Sequence, residues 1–317
     1  RRGTKFIDKN IYDYKEIEIP RISKNIFKIP YLLFFFVISL FKSFFFIKNR
    51  NIQILISTGG YMSLPLCISA RILGKKIYLF EPNMVIGRSN KLFLRFSEKI
   101  ICYSKELRNF PNKFKDKIFV IQPLLREKIY KEKVNSKYEI SKTFKILIMG
   151  GSQGAEFFDN EISDLIVDLS KNYKISILQQ TSTEDKIKLL KKKYLKSDIE
   201  YELFNFNESI YKKYNHIDFA ITRSGASTMS ELIYFNIPFL AIPLPSSKDD
   251  HQLYNAKEYF DKKLCWLIIQ SDYKKEKIKD FILNLIRNSE DYFEKKKNMS
   301  KFSYQNSWNN INQKLLA

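Results

Sequence analysis

The sequence predicts an α/β fold with a mainly parallel sheet, built as two Rossmann-like halves facing each other across a cleft. Three observations carry this. Short apolar runs alternate with helical segments from Ile52 onward, and the alternation starts afresh at Phe144 after a lysine-rich polar stretch. A glycine turn follows a strand directly in each half, Ser57-Thr-Gly-Gly60 and Gly150-Gly-Ser-Gln-Gly154. With 317 residues the chain is long enough for two domains that each bury a core.

The stretch from Lys5 to Ile19 is short, polar and strand-like, and Glu16-Ile-Glu-Ile19 alternates well enough for one strand. The most apolar run follows, Tyr31 to Ile47, interrupted by Ser39, Lys42 and Ser43. Its length of about seventeen residues is at the lower limit for a membrane span and Lys42 falls inside it, which favours a buried or interfacial helix. Lys24, Lys28, Lys48 and Arg50 flank it, so its ends suit an anionic bilayer surface.

Ile52 to Ile56 reads as a strand, followed by the first glycine turn and a helix from Leu64 to Leu73. Lys76 to Phe80 is the next strand and ends at Glu81-Pro-Asn83. A helix from Gly87 to Phe96 and strands at Ile100 to Tyr103 and Ile118 to Ile121 complete this series. Pro123 and the polar stretch Glu127 to Lys142 read as a surface connection, which divides the chain into domains 1–140 and 141–317.

In the second series Phe144 to Met149 is a strand, the second glycine turn follows, and Asn160 to Leu169 is a helix. Lys174 to Leu178 and Ile199 to Leu203 are strands on either side of a charged helix, Lys186 to Tyr194. Phe219-Ala-Ile-Thr222 is then a buried strand, Arg223-Ser-Gly-Ala226 a turn, and Thr228-Met-Ser-Glu231 a capping box that opens a helix. Such a helix aims its free N–H groups and positive dipole end beyond the strand, which makes an anion site. Pro238 to Ile242 is a second buried strand and leads into the polar loop Ser246 to Gln252, so two strand ends open on one sheet edge. The tail from Lys275 reads as helices with a solvated lysine face.

A hydrophobic content of 44% with 27 Phe and 19 Tyr excludes a disordered chain. The excess of 55 basic over 34 acidic residues, a net charge of +21, suits nucleic acid, an anionic membrane or phosphorylated substrates. The lysines are scattered, however, and abundant Lys, Ile, Asn and Phe also follow from A/T-rich coding, so a nucleic-acid partner is not expected. Cys67, Cys102 and Cys265 are odd in number and far apart, which supports neither a disulfide frame nor a zinc site and fits a reducing cytosol. The chain begins at Arg1 with no initiator methionine and no signal-peptide pattern, and a preceding segment is expected.

Each chemical motif has a plainer reading beside it. Gly150-Gly-Ser-Gln-Gly154 is either a phosphate cradle or a tight turn; it is not GxGxxG, and no acidic residue follows at a ribose-binding distance. Two such loops, one per half, favour the cradle. Adjacent aspartates in Asp249-Asp250-His251-Gln252 seldom converge on one ion, and with two histidines in the chain no metal is expected. His216, beside a strand start, reads as packing. Glu231 either caps its helix or hydrogen-bonds sugar hydroxyls, and chemistry alone favours the cap.

Gly59-Gly-Tyr61, Glu81-Pro-Asn83, Gly150-Gly-Ser-Gln-Gly-Ala155, Arg223-Ser-Gly-Ala226 through Ser230-Glu231, and Asp249-Asp-His-Gln252 followed by Tyr254-Asn-Ala256 occur in a shared order and spacing. In this the chain resembles, over nearly its whole length, the MurG family. These bacterial transferases add N-acetylglucosamine from its UDP donor to undecaprenyl-pyrophosphoryl-muramyl-pentapeptide. The resemblance implies a GT-B architecture, with the nucleotide sugar held mainly by the C-terminal half, and metal-independent, inverting transfer without a cofactor. Helix-end N–H groups then replace a cation on the departing UDP. It places Ser152 on the donor phosphates with Gln153 beside it. Arg223, Ala226, Ser227, Thr228, Met229 and Ser230 surround the nucleotide, Glu231 holds the ribose hydroxyls and Gln252 lies near the sugar. Asn83 and Arg126, from the N-terminal half, look toward the cleft. The implied partners are UDP-N-acetylglucosamine, the lipid-linked acceptor and, through the Tyr31 to Ile47 helix, an anionic membrane surface. The implied location is peripheral, on the cytoplasmic face of the plasma membrane.

The chain also departs from the family's pattern. His-Glu-Gln-Asn is here Phe80-Glu-Pro-Asn83, Asn-Pro-Val-Arg is Gln122-Pro-Leu-Leu-Arg126, and a usually hydrophobic position is Asn207. The family's first glycine-rich loop, expected to bind the acceptor pyrophosphate and to supply a histidine base, has no match. Neither His216 nor His251 replaces it, so no catalytic residue is assigned. The expectation for the chain as written is weak or absent donor binding and no turnover. Two other functions fit the same residues. One is a UDP-N-acetylglucosamine 2-epimerase-like enzyme of the same fold; the other is a non-catalytic, membrane-associated subunit of a split transferase.

Overall fold

The computed structural model describes residues 13–19, 25–132, 140, 142–151 and 156–303. The chain forms two compact units, the first from residues 1–81, 86–101 and 111–119, the second from 82–85, 102–110 and 120–317.

The first unit opens with α1 (Ile29–Asn49), β1 (Ile54–Ser57), α2 (Leu64–Ile72), β2 (Lys76–Glu81) and α3 (Arg88–Phe93). With β3 (Lys99–Cys102) and β4 (Ile118–Val120) the strands make a four-stranded sheet in the order β1-β2-β3-β4. β1 pairs with β2 in parallel, Ile54 opposite Lys76. Glu16 to Ile19 is not a strand: alternation alone marks an extended backbone, and these residues join no ladder among those described.

α1 reverses the usual amphipathic pattern. Its buried residues are Ser39, Ser43 and Ile47, at four-residue spacing, while Leu33, Phe34, Val37, Phe41 and Phe45 are exposed. The small inner face packs on α2, where the Ser69 hydroxyl donates to the Leu40 carbonyl at 3.1 Å. The helix is therefore not buried, contrary to one of the two expectations for it. Its 21 residues include an 18-residue stretch with a mean hydropathy of 2.0, so it is long and apolar enough to cross a membrane.

The second unit contains α4 (Glu127–Glu132), β5 (Phe144–Met149), a π turn (Phe158–Ile162) leading into α5 (Ser163–Ser170), β6 (Ile175–Gln180), α6 (Glu184–Leu195), β7 (Glu200–Phe204) and β8 (Phe219–Thr222). It continues with α7 (Ala226–Tyr234), β9 (Phe239–Ala241), α8 (His251–Asp261), β10 (Trp266–Leu267), α9 (Lys275–Arg287) and α10 (Glu290–Ser303). Six parallel strands run in the order β10-β9-β8-β5-β6-β7. Sequential strands thus spread outward from β5 in one direction and then from β8 in the other, and the reversal lies between these two neighbours. Helices cover both faces, so Phe144, Ile146 and Ile148 of β5 pack into one cluster and Leu147 into the other. Leu125 and Ile129, on the stretch read as a surface connection, are buried in this unit's core.

The capping box is overturned. α7 starts at Ala226, two residues before Thr228, with Gly225 as an N-cap in extended backbone and no side-chain cap. With Gly225 already at the N-cap the helix begins sooner than the box requires, so Thr228 and Glu231 fall inside it. A cap does open α6, where the Lys186 N–H donates to the Thr183 hydroxyl.

In the first unit, Gly59 sits after β1 at φ +79°. A Cβ there would lie 3.1 Å from the Asn90 amide, which donates to the Phe80 carbonyl at 3.2 Å and to the Glu81 carboxylate at 3.1 Å. Gly59→Ala is expected to lower stability by about 1–3 kcal/mol through left-handed strain and this contact together. Denaturant unfolding of the two forms measures it, and an unchanged midpoint would mean the turn is not held in this form.

Candidate functional site

The C-terminal ends of β5 and β8 lie side by side where the strand order reverses, the position at which open α/β sheets bind ligands. The Met149 carbonyl that ends β5 accepts from the Arg223 N–H at 3.0 Å and from the Thr222 hydroxyl at 3.2 Å, which locks the two ends together. From them leave Gly150-Gly151, with Gly151 at φ +66°, and the turn into α7. The first intrahelical bond of α7 runs from the Met229 N–H to the Gly225 carbonyl at 3.1 Å. The N–H groups of Ala226, Ser227 and Thr228 therefore have no acceptor within the helix, and the positive dipole end faces the same edge. Ser227 is exposed, whereas Met229 and Ser230 are buried, the Ser230 hydroxyl donating to the Ala226 carbonyl at 2.7 Å. Ser152 and Gln153 lie outside the described residues.

Arg223 is 5% exposed and turned into the protein. One guanidinium nitrogen donates to the Ile242 and Pro243 carbonyls at 3.1 and 3.2 Å, and the group lies 4.8 Å from the Phe158 ring centre and 5.3 Å from that of Phe157. Burial lowers its pKa to about 10, so it stays a cation at neutral pH. It ties the end of β9 to the helix beyond the glycine turn.

Gln252 sits in the first turn of α8 rather than in a loop. Its Oε1 accepts from the Ser224 and Leu244 N–H groups, both at 3.1 Å, which leaves the amide nitrogen as a donor. Asn255, one helical turn on and 2% exposed, was not assigned a role from the sequence. Its Oδ1 accepts from the Met84 N–H at 2.8 Å, and its Nδ2 donates to Asn83 Oδ1 at 3.0 Å and to the Ser224 carbonyl at 3.3 Å. Asn83 and Met84 belong to the second unit, and Asn83 is held by this pin. An asparagine at helical spacing from Gln252 inside the shared motif was the available signal.

Arg126 also lies in the second unit, where it meets Glu231. One guanidinium nitrogen donates to the Glu208 carbonyl at 2.8 Å, and another is 3.5 Å from Glu231 Oε1. The group stands 4.9 Å from the Tyr211 ring centre. The Tyr214 hydroxyl donates to Glu231 Oε2 at 3.4 Å. Burial raises the Glu231 carboxyl above its ordinary value, with Arg126 and Tyr214 opposing the rise. Sequence gives no hint of the partner of the Tyr214 hydroxyl, since the residue stands in the polar run Lys212-Lys-Tyr-Asn-His216, 17 positions before Glu231.

Asp249 and Asp250 both adopt left-handed backbone at φ 53° where α8 begins, and no group of three or more metal-ligating side chains converges among the described residues. His216 is exposed rather than packed, because the short helix Ile210–His216 ends at it on the surface.

Asn255→Ala is expected to cost about 1–3 kcal/mol, since it strands the buried Met84 N–H. Denaturant unfolding reads this, and a loss below about 0.5 kcal/mol, within the range of a surface change, would contradict the pin.

The glycosyltransferase family 28 C-terminal domain matches residues 145–311 and the family's N-terminal domain matches residues 1–102. The UDP-N-acetylglucosamine–N-acetylmuramyl-(pentapeptide) pyrophosphoryl-undecaprenol N-acetylglucosamine transferase of Pelagibacter ubique (strain HTCC1062) is 46% identical over 316 residues, covering 100% of this chain and 88% of that protein. The crystal structure of Acinetobacter baumannii MurG superposes with a TM-score of 0.70 at 22% identity, over 94% of this chain and 83% of that one. A UDP-GlcNAc 2-epimerase from Neisseria meningitidis, bound to UDP-GlcNAc, superposes at 0.56 with 13% identity, over 83% and 75%. These two structures share the fold.

Proposed function

The chain belongs to glycosyltransferase family 28 and, within it, to the UDP-N-acetylglucosamine–N-acetylmuramyl-(pentapeptide) pyrophosphoryl-undecaprenol N-acetylglucosamine transferases, and on that premise we propose how its residues divide the reaction. It has a GT-B fold and is an N-acetylglucosaminyltransferase of peptidoglycan synthesis. The reaction moves N-acetylglucosamine from its UDP donor to undecaprenyl-pyrophosphoryl-N-acetylmuramyl-pentapeptide, converting lipid I to lipid II.

The donor sits at the edge where β5 and β8 end. The observation that carries this is the start of α7, whose open N–H groups lie beside the glycine turn of the neighbouring strand. The N–H groups of Ala226, Ser227 and Thr228, with Ser152 and Gln153 by family match, take the diphosphate. Glu231 accepts from the ribose hydroxyls, and the free amide nitrogen of Gln252 donates to the sugar. Arg126 leans on Glu231 from the side, and Asn83 shapes the sugar pocket from its seat on Asn255. Arg223 acts behind these groups, as the clamp between the strand ends.

The acceptor hydroxyl attacks the anomeric carbon from the face opposite UDP. One glycosidic C–O bond forms as the C–O bond to UDP breaks, with inversion, and the acceptor's O–H proton is released to solvent. The negative charge that develops on the leaving diphosphate meets N–H groups already in place, which favours the transition state over the ground state.

The enzyme is a peripheral protein of the cytoplasmic membrane face, docked through the outer face of α1. Exposed Leu33, Phe34, Val37, Phe41 and Phe45 support this, with exposed Lys28, Lys42 and Lys48 placed to meet anionic headgroups.

Glu231→Gln is expected to weaken UDP-N-acetylglucosamine binding about 10- to 100-fold, the worth of charge-assisted hydrogen bonds to a diol. Because burial raises the folded carboxyl above its ordinary value, wild-type donor affinity falls as pH drops through that raised value, while the Gln variant is flat there. The same shift means the ionised carboxylate costs stability at neutral pH, so the variant melts no lower than wild type at pH 7. Calorimetric titration across pH checks this, and unchanged affinity would remove Glu231 from the ribose. Phe41→Glu is expected to weaken co-sedimentation with anionic vesicles about tenfold or more, with the melting temperature unchanged. Equal sedimentation would exclude this face as the anchor.

A further inference from the structure

Arg126 reaches Glu231 from a stretch with no regular structure of its own. Residues 121–126 lie between β4 and α4 and belong to neither a strand nor a helix. Backbone N–H groups in such a stretch need acceptors from elsewhere. Two tyrosines supply them: the Leu124 N–H donates to the Tyr103 hydroxyl at 3.0 Å, and the Leu125 N–H donates to the Tyr130 hydroxyl at 3.3 Å. These are the two leucines that stand between Pro123 and Arg126, where the family's pattern has a single valine. Tyr130 is itself braced on α7, the helix of Glu231. Its ring centre is 5.3 Å from that of Tyr234, and its carbonyl accepts from the Tyr234 hydroxyl at 3.4 Å. All of these residues belong to the second unit. Burial pushes both phenols above their ordinary value, Tyr130 up to about 12, so both stay neutral hydroxyls at neutral pH.

We propose that Tyr103 and Tyr130 are positioning residues for the donor site, their hydroxyls fixing the backbone ahead of Arg126 so that its guanidinium stands against Glu231. They act through Arg126 and not on the donor itself. The Arg126 side chain is half exposed and its nitrogen is 3.5 Å from Glu231 Oε1, at the outer limit of a hydrogen bond, so a small backbone shift breaks the contact. A tyrosine has two side-chain torsions, which makes a hydroxyl on a packed ring a firm post for a loop. The groups facing Glu231 are Arg126 and, from the short helix Ile210–His216, Tyr214. Arg126 opposes the rise that burial imposes on the carboxyl, so freeing Arg126 lets that rise go further. The inference rests on the reading that Glu231 and Arg126 serve the donor's ribose.

The test is calorimetric titration with UDP across pH, on the full chain as wild type, Tyr103→Phe, Arg126→Met and the double variant. Tyr103→Phe should lose about fivefold in affinity at pH 7, as for one hydrogen bond, and its affinity should begin to fall at a higher pH than that of wild type. In the Arg126→Met background the same change should cost less than about twofold and leave the pH profile where Arg126→Met alone puts it, since a residue that acts through Arg126 has nothing left to act on. An equal loss in both backgrounds, an unmoved pH profile or no loss at all overturns the proposal. Should Tyr103→Phe fail to fold, Tyr130→Phe takes its place with the same expectations. Wild-type UDP affinity in Arg126→Met, or no UDP binding by the wild type, would instead overturn the reading of Arg126 at the donor, and the proposal with it.

Discussion

Between β5 and β8 the six-stranded sheet reverses the direction in which its strands are laid down, and the candidate site depends on that reversal. Helices that return on opposite sides cannot cover the shared edge, so backbone N–H groups and strand-end loops are left facing a crevice. The Met149 carbonyl closes the floor by accepting from both Thr222 and Arg223. The turn into α7 is then displaced from Gly150-Gly151 by the width of one strand.

The walls of this crevice are built largely from neutral amides. Gln252 joins the turn before α7 to the end of β9, Asn255 joins the same turn to Asn83 and Met84, and Gln180 joins the glycine turn to the strand beside it. An amide offers a donor and an acceptor, so it can bridge two loops at once without the cost of burying a charge. Charge is reserved for few places. Arg223 remains a cation under aromatic rings and carbonyls, and Glu231 is left partly desolvated beside Arg126. A carboxylate kept short of solvent and of full compensation is costly to the fold.

Most strands were legible in the sequence to within a residue or two, because a strand buried on both faces is a continuous apolar run between turn residues. β10 was not, since two residues carry no period. The capping box failed because Thr228 and Glu231 have the right spacing, but Gly225 takes the N-cap position and the helix begins at Ala226. Glu16 to Ile19 failed for a related reason: alternation describes one chain, and a strand needs a neighbour. The face that α1 turns outward was hidden because serine and phenylalanine both fit an apolar helix, and packing on α2 decides which goes in. The motifs name Glu231, Gln252 and Arg223 as candidates but not the groups that hold them. Tyr214 and Asn255 make contacts far along the chain, which no local pattern encodes, and Arg126 and Asn83 join the second unit only through tertiary packing.

The central claim is that the donor is held by the second unit alone, at the β5–β8 edge. A crystal structure of the chain with UDP tests it most directly. The account predicts the diphosphate at the N-terminus of α7 beside Gly150-Gly151, with the ribose hydroxyls on Glu231 and no side chain of the first unit needed to hold the nucleotide. Density for UDP against the first unit's sheet, or at the second unit but away from α7, would contradict it.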